Sequence, residues 1–485
     1  MGKKEGFVAY KDLRQYLDRL EDEGELTQVN VEVDWDLEIG GISRRAIDRR
    51  SGALLFNCIK GYPGQRILTN PLGPGNPIHA LLSLAAGQKR DTPVLGLIDW
   101  FARKTNESIR PTVVDRAPCK ENILKGKDVN LLNFPVPRIH GIDGGRFIGT
   151  WHIDVIKDPD TGWVNWGMYR HQMHDERRVG WLALPAQHGP SIYYQKYEAR
   201  GNPMPMAIAI GPEPLSAIVA ASGIPAQTNE VDIVGAMQGE PVELVKCESI
   251  DLEVPASAEI VLEGLVAPHE RVMEGPFGEY TGYSSGGRAP RPVFHVQCVT
   301  FRNEPILTVS NMGKPWDEFA VISSIAISAC LAEELRKRGI PFRAIYAPPP
   351  GMAVIVAAKP QYAGFIHSVT STIWSSKAGI YRPYVFLVGE DVNPANMEEV
   401  FWCLTSRLHP SLGVHIQNDA PGHVLMPFLG QAERESSRGA RVALDATFPP
   451  DWPAEEVPRI MDFENGWPED IRQRVLARWD EYGIR

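Results

Sequence analysis

Hydrophobic spacing changes character three times along the chain. Near the start, Leu13, Tyr16, Leu17 and Leu20 recur at helical spacing, with Gly24 as the stop. Thr27 to Val33 then alternates apolar and polar positions, as a half-buried strand does. Leu54-Leu55-Phe56 and Arg66-Ile67-Leu68 read as further strands, so residues 1–115 are expected to form a small α+β domain. Residues 116–315 consist of short β-like runs between turn residues, among them Phe147–Ile156, Pro205–Ile210 and Ala258–Gly264. Strands at that density predict a barrel or sandwich and exclude a helical bundle.

Residues 316–450 change texture again. Ile325 to Arg338 predicts a helix stopped by Gly339, and strands follow at Phe342–Tyr346, Ala353–Ala357 and Tyr384–Val388. Asn393 as cap and Pro394 in the first turn predict a helix to about Leu408, giving an α+β sandwich. In residues 451–485, Ile471, Val475, Leu476 and Trp479 form an apolar stripe on a terminal helix, which points to a neighbouring subunit as its cover. No internal repeat is present.

Composition narrows the function classes. The 485 residues carry 50 Lys and Arg against 60 Asp and Glu, a net charge of −10 that disfavours a nucleic-acid partner. Gly and Pro, at 44 and 40 residues, favour turns and backbone-rich sites. Six cysteines, with no CxxC spacing, exclude a zinc ribbon and predict buried thiols in a reducing cytoplasm. The charged start Met1–Gly6 lacks a signal-peptide core, and no apolar run is long enough to span a membrane. GxGxxG, P-loop and GxSxG motifs are missing.

Several stretches could carry chemistry. Glu274-Gly275-Pro276-Phe277-Gly278-Glu279-Tyr280 cannot be helical; it is either a tight loop with solvated acids or a backbone-rich approach of two carboxylates to a ligand. Arg170, in Asn165-Trp166-Gly167-Met168-Tyr169-Arg170, could clamp a carboxylate bidentately or merely bridge strands. His171 and His174, three apart, would face opposite sides of a strand and read as ordinary strand histidines. Asn165, His188 and Glu230 together would suit Mn²⁺ or Mg²⁺, although they lie far apart in sequence.

As an ordered set, Asn165-Trp166…Arg170, Gln187-His188, Asn229-Glu230…Gly235-Ala236, Val245-Lys246-Cys247-Glu248 and Glu274–Glu279 resemble the UbiD family of reversible decarboxylases, which use prenylated FMN. The likeness runs over nearly the whole chain and lies near the ferulic acid and heteroaromatic acid decarboxylase branch. It implies an α+β fold with a flavin-reductase-like split barrel in the middle. It also implies decarboxylation of an aromatic, heteroaromatic or α,β-unsaturated acid through a covalent substrate–cofactor adduct, CO2 loss and protonation by a glutamate.

By the same resemblance, Arg170, Glu274 and Glu279 are the catalytic network, with Glu279 as proton donor and Glu274 positioning Arg170. Asn165, His188 and Glu230 would bind Mn²⁺ or Mg²⁺; Trp166, Val219, Ala220 and Ser222, with Glu230, would hold K⁺, mostly through backbone carbonyls. Met168, Tyr169, Gln187 and Lys377 join the cofactor contacts, and Thr150, Tyr280, His423 and Leu425 the substrate pocket. His423 stands where acrylate-decarboxylating members have an aromatic residue, which favours a polar or heteroaromatic ring. A prenyl-flavin synthase is implied as cofactor supplier, and the tail stripe leads to the expectation of a homodimer or higher homo-oligomer. Two other readings remain open at this level: a flavin oxidoreductase on a split-barrel FMN site, and a non-catalytic subunit of a decarboxylase complex.

Overall fold

A computed structural model describes residues 10–284 and 287–484; the charged start Met1–Gly6 lies outside them. The helix Leu13–Asp22 buries Leu13, Tyr16, Leu17 and Leu20, and the Asp12 side chain caps it by accepting from Gln15 N–H. The strand expected over Thr27–Val33 is shorter: Leu26–Val29 pairs in parallel with Ala53–Phe56, and only an isolated bridge follows at Val33. Arg66–Thr69 extends this sheet, and Ile306–Val309 completes it from far along the chain.

The middle of the molecule is one large antiparallel sheet that curls into a half-barrel. Its path begins at Phe147–Gly149, His171–Met173 and Arg178–Trp181 and continues through the long hairpin Ile260–Glu274 and Ala289–Phe301. It finishes at Met204–Ile210, His152–Lys157 and Val164–Gly167. The last strand of the path, Val164–Gly167, is followed in sequence by His171–Met173, the second. Four residue steps reach at most about 14 Å, so the two ends of the sheet are forced together. Across that seam His171 Nε2 donates to Asp154 Oδ1 at 2.8 Å. The run expected as one strand over Phe147–Ile156 is therefore two, broken at Thr150-Trp151.

The C-terminal layer is a mixed five-stranded sheet in the order Ala344–Tyr346, Ala353–Ala357, Tyr384–Val388, Arg438–Ala446 and Val414–Pro421. Its first helix starts at Glu318, not Ile325, because Asp317 accepts from Ala320 N–H and caps it there; both Asp317 and Glu318 are buried. The helix placed from Asn393 instead spans Met397–Arg407. Asn396 accepts from Glu398 and Glu399 N–H, while Asn393 turns back to Ala395 N–H. Pattern reading missed the helix Phe365–Ser375, whose apolar residues are buried against this sheet.

The tail helix Glu469–Ala477 buries no residue, and Trp479 lies in the short helical turn beyond it. Not all cysteines are buried either: Cys58 is exposed, and Cys119, Cys298 and Cys403 are enclosed. Among the described residues, no helix is long and apolar enough to cross a membrane.

Candidate active site

The seam of the half-barrel positions the central arginine. Met168, Tyr169 and Arg170 form the three-residue link between the two ends of the sheet, so their side chains emerge where it closes. Arg170 Nε and one terminal nitrogen donate to the two oxygens of Glu274 at 2.7 and 2.9 Å, and its other terminal nitrogen donates to Glu279. Glu274 ends the strand Ile260–Glu274, which anchors it; the Gly-Pro loop then swings Glu279 to the far side of the guanidinium.

Close backbone packing holds that loop. A Cβ at Gly144 would lie 2.0 Å from Gly275 O, and Gly144 N–H donates to Pro276 O. Asp143 Oδ1 accepts from Gly278 N–H. Arg170 also lies over the Phe277 ring, 4.9 Å from its centroid. The acids are therefore enclosed, not solvated: Glu274 is 2% and Glu279 5% exposed.

Burial and charge act oppositely here. Burial raises the Glu279 carboxyl above its ordinary range, outweighing the pull of Arg170, and Glu274 adds to the rise. The Arg170 guanidinium is disfavoured by burial, but Glu279 and Glu274 more than offset this and hold it charged.

A second cluster lies along the same pocket. Glu230 opens the helix Glu230–Gln238; its carboxylate accepts from Asn165 Nδ2 and Trp166 N–H, each at 3.0 Å. Tyr169 Oη donates to Asn165 Oδ1 and accepts from Gly189 N–H. His188 begins the helix His188–Ile192, with Gln187 preceding it, and packs edge-on to Trp163. Burial pushes Glu230 up to about 7, while burial and the Lys377 charge push His188 down to about 4. Burial also brings Lys377 down to about 8, against the attraction of Glu230.

One neutral imidazole, one amide oxygen and one buried carboxylate form a donor set that fits a hard or borderline divalent cation. The adjoining carbonyl of Trp166 accepts from Asn165 Nδ2, and that of Val219 accepts from Ser222 N–H.

Nearly all the residues singled out from sequence line this one pocket: Thr150, Asn165, Trp166, Met168, Tyr169 and Arg170 from the sheet and seam, Gln187, His188, Ala220, Ser222 and Glu230 from the helical layer. Glu279, Tyr280, Lys377, His423 and Leu425 complete it. Glu274 stands behind Arg170 and lines the adjoining cavity, and Val219 is buried within its helix.

Two features were missed. Arg382, half-buried, lines the pocket with Tyr280; a lone arginine in Ile380-Tyr381-Arg382-Pro383 gives no sequence signal. His152, Asp154 and His171 converge beneath the pocket, all buried, with potential ligand atoms within 4.8 Å of one another. His171 was read as an ordinary strand histidine; only closure of the sheet brings it to Asp154.

A buried Glu–Arg–Glu network thus stands beside a cation-type donor set at one pocket, and comparison with known proteins gives the chain's class. Family models described as the N-terminal, Rift-related and C-terminal domains of 3-octaprenyl-4-hydroxybenzoate carboxy-lyase match residues 17–92, 112–315 and 321–446. The chain belongs to the UbiD family of decarboxylases.

Among its relatives, pyrrole-2-carboxylic acid decarboxylase of Pseudomonas aeruginosa is 33% identical, over 98% of each chain. Phenolic acid decarboxylase of Sedimentibacter hydroxybenzoicus is 35% identical, over 96% of this chain and 98% of its own. The closed form of vanillic acid decarboxylase from the same organism superposes with a TM-score of 0.89 at 33% identity, covering 98% of this chain and 100% of that one. The UbiD-class enzyme HmfF of Pelotomaculum thermopropionicum, in complex with FMN, gives 0.81 at 29% identity, covering 96% of this chain and 100% of that one.

Proposed function

We propose that this UbiD-family decarboxylase acts reversibly on an aromatic or heteroaromatic carboxylic acid and depends on prenylated FMN. The observation that carries the reading is that Arg170, held from behind by Glu274, and Glu279 line the same pocket as Asn165, His188, Glu230 and Lys377. Solved UbiD-class structures with FMN and with prenylated FMN support a flavin in that pocket. Asn165, His188 and Glu230 would hold Mn²⁺ or Mg²⁺, with Lys377 on the same pocket wall. Trp166, Val219, Ala220 and Ser222, with Glu230, would hold K⁺. Loss of CO2 leaves an electron pair on carbon that no side chain can accept, and the bound flavin supplies that sink.

Each residue then has a definite task. Arg170, fixed by Glu274, orients the substrate carboxylate. Glu279, whose carboxyl burial raises above its ordinary range, donates its proton to the carbon that lost CO2, and the carboxylate left behind faces Arg170. In the carboxylation direction the same carboxylate takes the proton back. His423 is pushed down to about 4 by burial and by Arg382, so it is neutral. Its Nδ1 accepts from Leu425 N–H, which leaves Nε2–H as a donor for a polar ring atom.

The rest of the reading is a homodimer in the cytoplasm, with a prenyl-flavin synthase supplying the cofactor; an evolved HmfF is described as dimeric. Coexpression with a prenyl-flavin synthase, followed by absorbance and CO2 assays on aromatic acids, tests the proposal. Protein that acquires flavin yet releases no CO2 and exchanges no ring hydrogen across the panel would overturn it.

A further inference from the structure

Arg382 lies in the loop between the helix Phe365–Ser375 and the strand Tyr384–Val388, half-buried on the pocket wall. Its Nε donates to Ala378 O at 3.1 Å. Its titratable neighbours on the pocket wall are the Tyr280 hydroxyl and His423, and among the described residues no carboxylate pairs with it. Arg170 differs sharply: its charge is already matched by two glutamates. A cation half-withdrawn from water into a pocket wall without a counter-charge is costly, so the pocket is electrostatically incomplete at Arg382.

The surrounding groups all donate or can donate. Tyr280 offers its hydroxyl, with its ring against Phe319 at 4.3 Å, and His423 offers Nε2–H. Glu279 pairs with Arg170 and not with Arg382, so the two arginines face different parts of the pocket. The ligand must therefore reach Arg382 with a different substituent.

We infer that Arg382, Tyr280 and His423 form a subsite for a second anionic oxygen substituent on the substrate ring, which makes dianionic aromatic acids the preferred class. The inference rests on the decarboxylase reading and deepens it. A bidentate guanidinium–carboxylate pair supplies the missing counter-charge, while an unsubstituted ring would leave the guanidinium bare.

The test is binding to the flavin-loaded full chain, followed by calorimetry. The probes are benzene-1,3- and benzene-1,4-dicarboxylate, each compared with the methylbenzoate that replaces one carboxylate by an uncharged group of similar size. The better dicarboxylate should bind at least about tenfold more tightly than its methyl analogue, and Arg382→Met should erase that preference without weakening the methylbenzoate. Arg382→Lys should keep part of it. Equal affinities in the wild type, or an Arg382→Met variant that loses both ligands alike, would overturn the subsite. The wild-type comparison decides even if a variant fails to fold. Selective binding without turnover would count against the decarboxylase reading alone; turnover without a dicarboxylate preference would count against the subsite alone.

Discussion

Arg170 and Glu274 form a two-pronged, in-plane ion pair, with Nε and a terminal nitrogen at 2.7 and 2.9 Å from the two carboxylate oxygens. The pair leaves one terminal nitrogen for Glu279, so the two acids are not equivalent. Glu274 fixes the guanidinium plane, whereas Glu279 shares its remaining edge and is the one pushed toward the protonated form.

Glu279→Gln removes the transferable proton while keeping size. Turnover of a substrate acid should fall about 10²- to 10⁴-fold, measured as CO2 release, with little change in flavin content. Glu274→Gln keeps one acceptor but loses charge and should cost less. Full activity in Glu279→Gln would remove that residue from the mechanism.

Mn²⁺ should stabilise the protein through the Asn165, His188 and Glu230 cluster. At a hundredfold excess over Kd, linkage gives about 2.7 kcal/mol, readable as a rise in Tm. His188→Ala should abolish the shift; an unchanged shift would place the metal elsewhere.

Glu318 is completely buried, accepts from Leu72 N–H and is pushed up to about 8 by burial. Between its ordinary range and pH 8 the folded protein holds a proton that the unfolded chain has lost, so stability falls as pH rises through that window, at up to about 1.4 kcal/mol per pH unit. Urea midpoints from pH 5 to 8 should show the decline, and Glu318→Gln should flatten its share. Asp317, Glu213 and Glu230, also raised by burial, contribute the remainder. A Glu318→Gln profile parallel to the wild type would contradict this.

Gly144→Ala would drive a methyl group against Gly275 O. Overpacking of this kind costs about 1–3 kcal/mol, and here the displacement falls on the loop that carries Glu279. Turnover should drop further than thermal stability does; equal retention of both would show the loop to be tolerant.

The tail leaves Trp467, Leu476 and Trp479 at 51%, 55% and 45% exposed, an unusual display for large apolar side chains. Light scattering at micromolar concentration should give at least twice the 53.9 kDa chain mass, and deletion of residues 451–485 should lower it. A monomeric mass for the intact chain would end this expectation.

Local pattern revealed much of the fold and, through motif order, most of the pocket. Leu13, Tyr16, Leu17 and Leu20 announced their helix because one face is buried. The helix beginning at Glu318 was read too short because its first turn carries acids that only tertiary packing can bury. The cap expected from sequence was Asn393, whereas the side-chain bonds that start the helix come from Asn396. The Glu274–Glu279 stretch advertised itself through Gly and Pro, whereas Arg382 did not, since nothing local shows that an arginine will be half-buried without a counter-ion. His152, Asp154 and His171 were illegible for a related reason: their meeting depends on closure of the sheet.

That closure also sets a length. Asn165 and Trp166, beside Glu230, sit at one rim of the seam; Arg170, beside Glu274 and Glu279, sits at the other, with Met168 and Tyr169 between. The interval between the cation-type donors and the proton-donating acid is therefore measured off by a short piece of covalent chain and clamped below by Asp154 and His171. A one-residue insertion there, even one the fold absorbs, would put the two ends of the chemistry out of step. The seam serves the pocket as a fixed ruler.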